Sequence, residues 1–264
     1  MAVKKDRVRQ SQIADAIGGR FVRTWFGVCV FSLAVVPVGA NDTRENEELR
    51  NAIQRSIPHL TIASLSPSEA AGVWEVTTME QSAVFYVTED AEHLFAGDLY
   101  AVSTNGLINL TEQRRATRIR HQIDRVNPDE TITYASHDAQ ATVVHVFTDV
   151  DCMYCQQFHL HVAELNAHGV EVRYLAYPRD GILSESYDKM VSAWCSESPA
   201  AAFTDLKTGK AIEDVSCESP LPRHLELGRF IGIEGTPTIV TDSGERIPGY
   251  TPPSEPLRRL GIDN

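Results

Sequence analysis

The sequence predicts an α+β protein with a small β-rich amino-terminal domain, a linking helix and a larger α/β domain. Three observations support this prediction: closely spaced β-rich runs at 59–102, a polar helical segment at 110–126, and a strand, a helix and a second strand in succession from residue 142. Runs separated only by turns are typical of an antiparallel meander. Strand, helix and strand at this spacing form a βαβ unit with a right-handed crossover.

The first 40 residues have the three parts of a secretory signal. A basic stretch precedes an apolar run at 25–38, and Val38-Gly39-Ala40 supplies the small residues of a cleavage site, so we place cleavage after Ala40. The alternative is a retained membrane anchor. The apolar run is shorter than the roughly 20 residues that cross a bilayer, which favours cleavage.

Removing this segment leaves a strongly acidic chain. The segment holds six of the 24 Lys and Arg residues and two of the 36 Asp and Glu residues, so 18 basic and 34 acidic side chains remain, with a formal charge of −16. This charge repels nucleic acid phosphates, and no basic stripe is large enough to reverse it. We therefore expect no nucleic acid partner.

We expect the first domain over residues 41–107. Apolar residues at helical spacing predict a helix at 45–56. The β-rich runs that follow lie at 59–65, 73–79, 83–87 and 93–102. A core this small is marginal alone, so we expect an exposed edge strand to pair with a second copy and to bury positions such as Phe95 or Leu99.

Residues 108–128 are expected to link the two domains. Asn105-Gly106 marks a turn, and a polar helix is predicted over 110–126. Its arginines could form a binding patch, but the pattern favours a solvated helix whose charges face water.

The second domain is expected over residues 129–264. A β-branched and aromatic run at 142–148 predicts a strand that is covered on both faces, a helix at 152–168 follows, and 170–177 predicts the second strand. The remaining predicted elements are helices at 184–195, 199–206 and 221–231, a strand at 238–241, a returning strand to Ile247 and a short terminal helix.

A Cys-x-x-Cys motif, Cys152-Met153-Tyr154-Cys155, opens the predicted helix at 152–168. Unpaired N–H groups and the helix dipole stabilise an anion there, so the first thiol should ionise more easily than a free cysteine. The thiolate is the nucleophile in exchange, and the two intervening residues let Cys155 attack a mixed disulfide. The motif therefore predicts thiol–disulfide exchange.

Three other interpretations of the motif compete with exchange. A zinc site needs two more ligands, and of the nearby His159 and His161 only the first lies one turn beyond Cys155. A purely structural bond would close too small a loop to contribute much. Haem attachment needs His directly after the second Cys, where this chain has Gln156. We expect no metal and no cofactor.

Two further features complete the candidate site. Cys195 and Cys217 lie 22 positions apart in a polar stretch, where a structural disulfide would contribute about 3 kcal/mol. Thr236-Pro237 precedes a predicted strand. Together with an upstream Cys-x-x-Cys motif, this dipeptide indicates the cis-proline that thioredoxin-like folds hold beside their thiols, where the backbone can pair with an extended substrate.

Six stretches point to one family. They are Val-Phe-Thr-Asp at 146–149, Cys-x-Tyr-Cys at 152–155, Val-Arg-Tyr-Leu-Ala-Tyr-Pro-Arg at 172–179, Trp-Cys at 194–195, Gly-Thr-Pro at 235–237 and Pro-Gly-Tyr-Thr-Pro-Pro at 248–253. They resemble the periplasmic disulfide isomerases DsbC and DsbG, closely in the α/β half and more loosely in the amino-terminal half. The additional cysteine pair is more like DsbC, which carries a disulfide at matching positions.

The resemblance implies a V-shaped homodimer, joined by its small domains, with a thioredoxin-like catalytic domain in each copy. It implies misfolded, disulfide-containing exported proteins as substrates and a transmembrane thiol reductase of the DsbD type as the reducing partner, in the periplasm. By the same resemblance Cys152 attacks, Cys155 resolves, and Tyr154, Thr236 and Pro237 bind substrate.

This chain departs from the family pattern at three positions. Met153 stands where DsbC has Gly and Gln156 where it has His, so the redox potential does not carry over. Val146 stands where thioredoxins have a buried acid, which leaves the associated proton-transfer role without an obvious holder.

Three alternative functions remain open at this stage. A dithiol oxidase of the DsbA type shares the fold class but lacks a separate β-rich domain. A DsbG-like reductase would act on sulfenic acids of single cysteines. A chaperone-like binder would hold unfolded chains without using the cysteines.

Overall fold

The computed structural model describes residues 40–262, so the predicted signal segment at 1–39 lies outside the described residues. Across 40–262, no helix combines the length and apolar character needed to cross a membrane. The elements of the amino-terminal half are α1 (Ala40–Ser56), β1 (Ile62–Pro67), β2 (Val73–Thr78), β3 (Val84–Thr88), β4 (Leu94–Ala96), β5 (Tyr100–Ser103) and β6 (Gly106–Asn109).

The second half begins with a helix that follows β6 directly. Its elements are α2 (Leu110–Ile123), a 3₁₀ turn (Pro128–Glu130), β7 (Ile132–Tyr134), β8 (Thr142–Thr148), α3 (Met153–Leu160), α4 (Val162–Ala167), β9 (Val170–Ala176), α5 (Glu185–Cys195), α6 (Pro199–Lys207), α7 (Leu221–Ile231), β10 (Thr238–Val240), β11 (Arg246–Pro248) and α8 (Ser254–Arg259).

The predicted meander is present as a four-stranded antiparallel sheet in the order β1-β2-β3-β4. Helix α1 packs on it, since Leu49 and Ile53 lie four residues apart on one helix face and both are buried. The other buried members of this small core are Ile62, Trp74, Val76 and Val87.

The predicted single strand at 93–102 is wrong. It is two strands, and the second, β5, leaves the meander to pair with β6, which the sequence did not reveal. The break contains Asp98, whose carboxylate accepts hydrogen bonds from the Asn109 side chain at 2.9 Å and from Arg115 at 3.3 Å. These bonds hold the chain against the start of α2 rather than in the first sheet. The predicted turn at Gly106 then closes the β5–β6 hairpin, with φ +118°.

Helix α2 begins at the predicted residue and is capped by Asn109, whose side chain accepts the Glu112 N–H at 2.9 Å. The expectation of a solvated helix is wrong. Ile119 and Ile123 are buried in a core cluster of the α/β half. The helix is therefore a packed joint and not a free spacer.

One arginine of α2, Arg118, departs from the prediction that these side chains face water, whereas the side chains of Arg114 and Arg120 are 53% and 61% exposed. Arg118 donates to the backbone carbonyls of Gln81 at 2.9 Å and Ala83 at 3.0 Å, and to that of Thr78. Arg114 pairs at 3.0 Å with Glu75, a buried carboxylate on β2. The predicted helical period could not show these acceptors because they lie 35 or more residues away.

The α/β half is built on a five-stranded sheet in the order β11-β10-β8-β9-β7. Strands β8 and β9 are parallel, as predicted, and the other pairs are antiparallel. Successive side chains of β8 enter opposite clusters: Val144 and Val146 join the larger core, and Phe147 joins the cluster that contains Ile119. Edge strand β7 was not predicted.

The predicted helix at 152–168 is divided at His161. The residue departs from helical geometry with φ −99° and ψ 1°, and its N–H bonds the Phe158 carbonyl three residues back. Phe158, Val162 and Leu165 lie at i, i+4 and i+7 and all reach the core, while Leu160 faces solvent.

Candidate active site

The Cys-x-x-Cys motif lies where β8 ends and α3 begins. Cys152 is the N-cap residue of α3, with extended backbone (φ −84°, ψ 117°), and its N–H bonds the Asp149 carbonyl at 3.3 Å. Its side chain is 3% exposed, and that of Cys155 is fully buried beneath it. Both thiols are free, so the structure describes the reduced pair.

Cys152 is the more acidic thiol of the pair. Its pKa is lowered from 9.0 to about 5, chiefly because Cys155 donates a hydrogen bond to the thiolate. The Thr236 hydroxyl and the N–H groups of residues 154 and 155 lower this pKa further, and they outweigh burial, which raises it. Cys152 is therefore a thiolate at neutral pH.

Cys155 has the opposite character. Burial raises the pKa of its thiol, and the hydrogen bond that it donates to Cys152 raises it further. The positive charge of Lys207 and the Thr148 hydroxyl act against this increase. In the reduced protein, Cys155 thus stays protonated while Cys152 carries the charge.

The Thr236-Pro237 segment lies directly against the nucleophile. The peptide bond is cis, and the Thr236 carbonyl oxygen is 3.3 Å from the Sγ of Cys152. Antiparallel pairing of β10 with β8 sets Thr238 opposite Phe147, which brings the residues before β10 to the end of β8 where the motif begins. Thr238 fixes the loop by donating to the Gly235 carbonyl at 2.7 Å.

Asp149 organises the loops around the motif. Its buried carboxylate accepts the backbone N–H of Arg179 at 3.0 Å, the Nε of the same residue at 3.2 Å, the Asp151 N–H at 3.0 Å and the Ser186 hydroxyl. Although burial raises the pKa of this carboxyl, the hydrogen bonds lower it by more. The ionised carboxylate thus holds the segment 179–186 beside the site.

Apolar side chains on the surface border the buried thiols. Met153 and Tyr154 stand within the motif with 61% and 54% of their side chains exposed. Leu183, in the segment that Asp149 holds, is 95% exposed, and Ile182 beside it is exposed as well. The motif itself therefore presents apolar surface beside its buried thiols.

His159, the candidate zinc ligand beside Cys155, is used inside the core. Its Nδ1 lies 3.1 Å from the Tyr174 hydroxyl and its Nε2 lies 3.2 Å from the Thr204 hydroxyl. Burial, together with Lys207, lowers the pKa of this histidine to about 4, so the ring is neutral at neutral pH. Both ring nitrogens are occupied by core partners, which favours a packing role.

The second cysteine pair is bonded. Cys195, the last residue of α5, forms a disulfide with Cys217 in the segment before α7, with a Cα–Cα distance of 5.7 Å. This bond ties two segments of the α/β half together and forms no part of the Cys152 site.

Sequence reasoning missed Lys207 at the end of α6. Its ammonium is buried and donates to the Thr148 hydroxyl at 2.7 Å and to the Asp149 carbonyl at 2.8 Å. A signal was present, because this lysine lies four residues after Phe203 and so shares the apolar face of its helix. A lysine at the end of an exposed helix is far more common, and the pattern alone does not separate the two cases.

Both halves of the chain match described protein families. Residues 128–261 match a thioredoxin-like domain, and residues 40–112 match the disulfide bond isomerase protein N-terminal domain. A disulfide interchange protein from Neisseria gonorrhoeae, known as a crystal structure, is 25% identical with a TM-score of 0.46, over 52% of this chain and all of that one.

Relatives of known name match across both halves. The chain is 34% identical over 206 residues to the thiol:disulfide interchange protein DsbC of Escherichia coli, which covers 77% of this chain and 84% of that protein. It is 33% identical over 233 residues to DsbC of Dickeya dadantii, covering 88% of this chain and 94% of that protein. With a reactive Cys-x-x-Cys motif on a thioredoxin-like domain and a DsbC-type amino-terminal domain, the chain belongs to the DsbC family of thiol:disulfide interchange proteins.

Proposed function

We propose that this protein is a disulfide isomerase and reductase of exported proteins, with Cys152 as the attacking thiol and Cys155 as the resolving thiol. The observation that carries the proposal is the asymmetry of the pair. One helix N-terminus holds an acidic thiol against the Thr236 carbonyl and a buried, protonated thiol beneath it. This arrangement supports a nucleophile that is charged before substrate arrives and a second thiol held in reserve.

The reaction begins when the Cys152 thiolate attacks one sulfur of a mispaired disulfide. A bond forms between Cys152 and that sulfur, the substrate S–S bond breaks, and the other substrate sulfur leaves as a thiolate. If a substrate thiolate then attacks the mixed disulfide, Cys152 is released reduced and the substrate is isomerised. If Cys155 attacks instead, the enzyme is oxidised and the substrate is reduced.

Substrate binding is assigned to Tyr154, Thr236 and Pro237. The exposed ring of Tyr154, two residues from the nucleophile, and the exposed Leu183, in the segment that Asp149 holds, supply apolar contacts. The backbone at Thr236 offers hydrogen-bonding groups to an extended segment, a mode of binding that accepts many sequences. Such a surface suits a class of misfolded chains better than one small ligand.

The proposal assigns association to residues 41–107 and chemistry to residues 129–264. Strands β4 to β6 expose a set of large apolar side chains: Leu94, Phe95, Tyr100, Val102, Leu107 and Ile108. We use the name β4–β6 apolar face for the part of this set that lies on one side of the hairpin, Tyr100, Val102 and Leu107, since Val102 pairs with Leu107 and Tyr100 is two residues from Val102. A homodimer that buries it would place two Cys152 sites on one particle, which agrees with the role proposed for the amino-terminal domain.

The cellular setting follows from the same family membership. The reduced pair must be restored after each net reduction, and a transmembrane thiol reductase of the DsbD type is the proposed donor. The periplasm is the proposed compartment, and the Cys195–Cys217 disulfide supports an oxidising location.

Refolding of a scrambled multi-disulfide protein by the reduced enzyme tests the proposal. We expect recovery of native substrate with the natural chain and background recovery with Cys152→Ser. Cys155→Ser is the matched control: it keeps the nucleophile, so it should still isomerise while it accumulates mixed disulfides. Equal recovery with Cys152→Ser and the natural chain would exclude the proposal.

A chaperone-like activity is a second candidate, and the exposed β4–β6 apolar face is the observation that favours it. The variant with Ser at both 152 and 155 separates binding from exchange. Suppression of aggregation by this variant at the level of the natural chain supports binding. Loss of suppression excludes it as an independent activity.

A further inference from the structure

Lys207 is a buried cation beside the resolving thiol. Only 4% of the residue is exposed, and both hydrogen bonds of its ammonium go to uncharged acceptors, the Thr148 hydroxyl and the Asp149 carbonyl. The rings of Phe203 and Tyr174 cover it, with centroids at 5.0 and 5.9 Å from Nζ. Burying a charge is unfavourable unless another group compensates it, so an apolar residue of similar length would stabilise this position better.

The groups that face Lys207 come from three elements. Burial lowers the pKa of Lys207 to about 8, and the acidic groups that raise it when they are ionised are Cys155, Asp149, Cys152 and Asp151, in that order. His159 on α3 is neutral near pH 7 because burial lowers its pKa to about 4. Tyr174 on β9 is protonated, since burial raises its pKa well above 10.0.

Of these negative groups, Cys155 is the one left to compensate Lys207 during turnover. The Asp149 carboxylate is already paired at 3.2 Å with Arg179, and that of Asp151 is paired at 3.2 Å with Lys189 at the surface. Once Cys152 is in a mixed disulfide it carries no charge. The Thr148 hydroxyl accepts from the Lys207 ammonium at 2.7 Å, and both this hydroxyl and the positive charge of Lys207 lower the pKa of the Cys155 thiol.

We infer that Lys207 is a positioning residue which, through its charge and through Thr148, favours the thiolate of Cys155 in the mixed disulfide and so promotes the resolving attack. This inference rests on the proposed exchange function. Lys207 acts by its charge and does not take over the proton-transfer role that Val146 leaves open.

The resolving step transfers one proton and exchanges one S–S bond for another. The Cys155 thiol loses its proton, and the resulting thiolate is held by the Lys207 ammonium. A bond forms between Cys155 and Cys152, and the bond between Cys152 and the substrate sulfur breaks. The substrate leaves as a thiolate and takes up the proton that Cys155 lost, while Lys207 stays charged throughout. Lys207 thereby shifts the outcome from isomerisation toward net reduction and rescues enzyme trapped on substrate.

Reaction with Ellman's reagent reads the two thiols separately. The Cys152 thiolate releases one thionitrobenzoate and keeps the other as a mixed disulfide, and Cys155 then releases the second. In the Lys207→Met variant we expect the second phase to slow by about tenfold at pH 7, equivalent to about one unit in the pKa of Cys155, and the first phase to change far less. Because Lys207 is charged below about pH 8 and neutral above it, the difference between the natural chain and the variant should shrink above that pH.

Two more variants control the experiment. Lys210→Met removes a surface lysine three residues further on, paired with Asp205 at 2.8 Å, and should leave both phases unchanged. Thr148→Val keeps Lys207 but removes the bridging hydroxyl, and should slow the second phase by about threefold. If Lys207→Met does not fold, Thr148→Val decides the question.

The outcomes are distinct. A second phase that is unchanged in Lys207→Met, or two phases slowed equally at every pH, overturns the role of Lys207. If Lys207→Met does not fold, an unchanged second phase in Thr148→Val also overturns the role of Lys207. Release of only one thionitrobenzoate by the natural chain would instead contradict the proposed dithiol function.

Discussion

The two halves of the described chain treat their apolar side chains differently. The thioredoxin-like half covers both faces of its sheet and closes two clusters around β8 and β9. The amino-terminal half closes one small cluster under α1 and leaves the β4–β6 apolar face uncovered, with Val102 at 86% exposure. A domain that exposes apolar side chains is stabilised when a second copy buries them. A domain that buries its own apolar side chains leaves its surface available for the catalytic site.

The two halves contribute differently to thiol–disulfide exchange. Every group that sets the ionisation of Cys152 and Cys155 belongs to the thioredoxin-like half. Within the described residues of the amino-terminal half there is no cysteine. In the proposed function this half contributes association and the holding of substrate, and these are the properties to disrupt separately.

The largest expected effect comes from charging the uncovered face. Val102→Asp together with Leu107→Asp should produce monomers in light scattering and lower the isomerase rate by at least about tenfold, since a buried charge at an interface is poorly tolerated. The rate of Cys152 alkylation should not change.

Val215→Asp is the matched control, because Val215 is an exposed apolar residue of the thioredoxin-like half, and it should change neither property. If the variant with Asp at both 102 and 107 remains dimeric, the proposed role of the β4–β6 apolar face in association is wrong.

An intermediate effect is expected in the thioredoxin-like half, from its disulfide. Replacing Cys195 and Cys217 together with Ala should lower the free energy of unfolding by about 3 kcal/mol, because the bond closes a loop of 22 residues in the unfolded chain. Chemical denaturation measures the loss. We expect Cys152 to keep its reactivity, and a fall in that reactivity would show that the bond supports the site directly.

The smallest expected effect is at the joint between the halves. Arg118→Met removes the donor to three carbonyls and should lower the free energy of unfolding by about 2 kcal/mol. Arg120→Met, on the same helix, loses only an exposed pair with Asp124 at 3.7 Å and should cost less than about 0.5 kcal/mol. Equal losses would mean that α2 is the solvated spacer that its sequence suggested.

Local patterns predicted most of the fold. The spacing of Leu49 and Ile53 placed α1, the β-branched run placed β8, and Asn105-Gly106 placed a turn of the hairpin. These signals depend on residues that are close in the sequence, so they can be recognised without knowing which residues are neighbours in space. The end of the predicted run at 93–102 was lost because the chain turns away there to reach partners on α2.

The same limit applies to the candidate active site: its local features were predicted from the sequence, and its long-range contacts were not. The position of Cys152 at a helix N-terminus follows from the chain around it, and so the nucleophile was found from sequence. The burial of Lys207 and its bond to Thr148 depend on residues 59 positions apart meeting across the fold. The hydrogen bonds of the half-buried Arg118 to the β2–β3 connection are of the same kind. Periodicity and composition carry no information about contacts between residues so far apart in the sequence.

The proposed mechanism depends above all on which thiol is the nucleophile. Alkylation of the reduced protein across a pH series, followed by peptide mapping, tests this most directly. We predict that Cys152 is modified with a midpoint near pH 5, since its thiolate persists above its lowered pKa, and that Cys155 stays unmodified through neutral pH because its pKa is raised by burial. Modification of Cys155 first, or a Cys152 midpoint near the ordinary value of 9.0, would contradict the account.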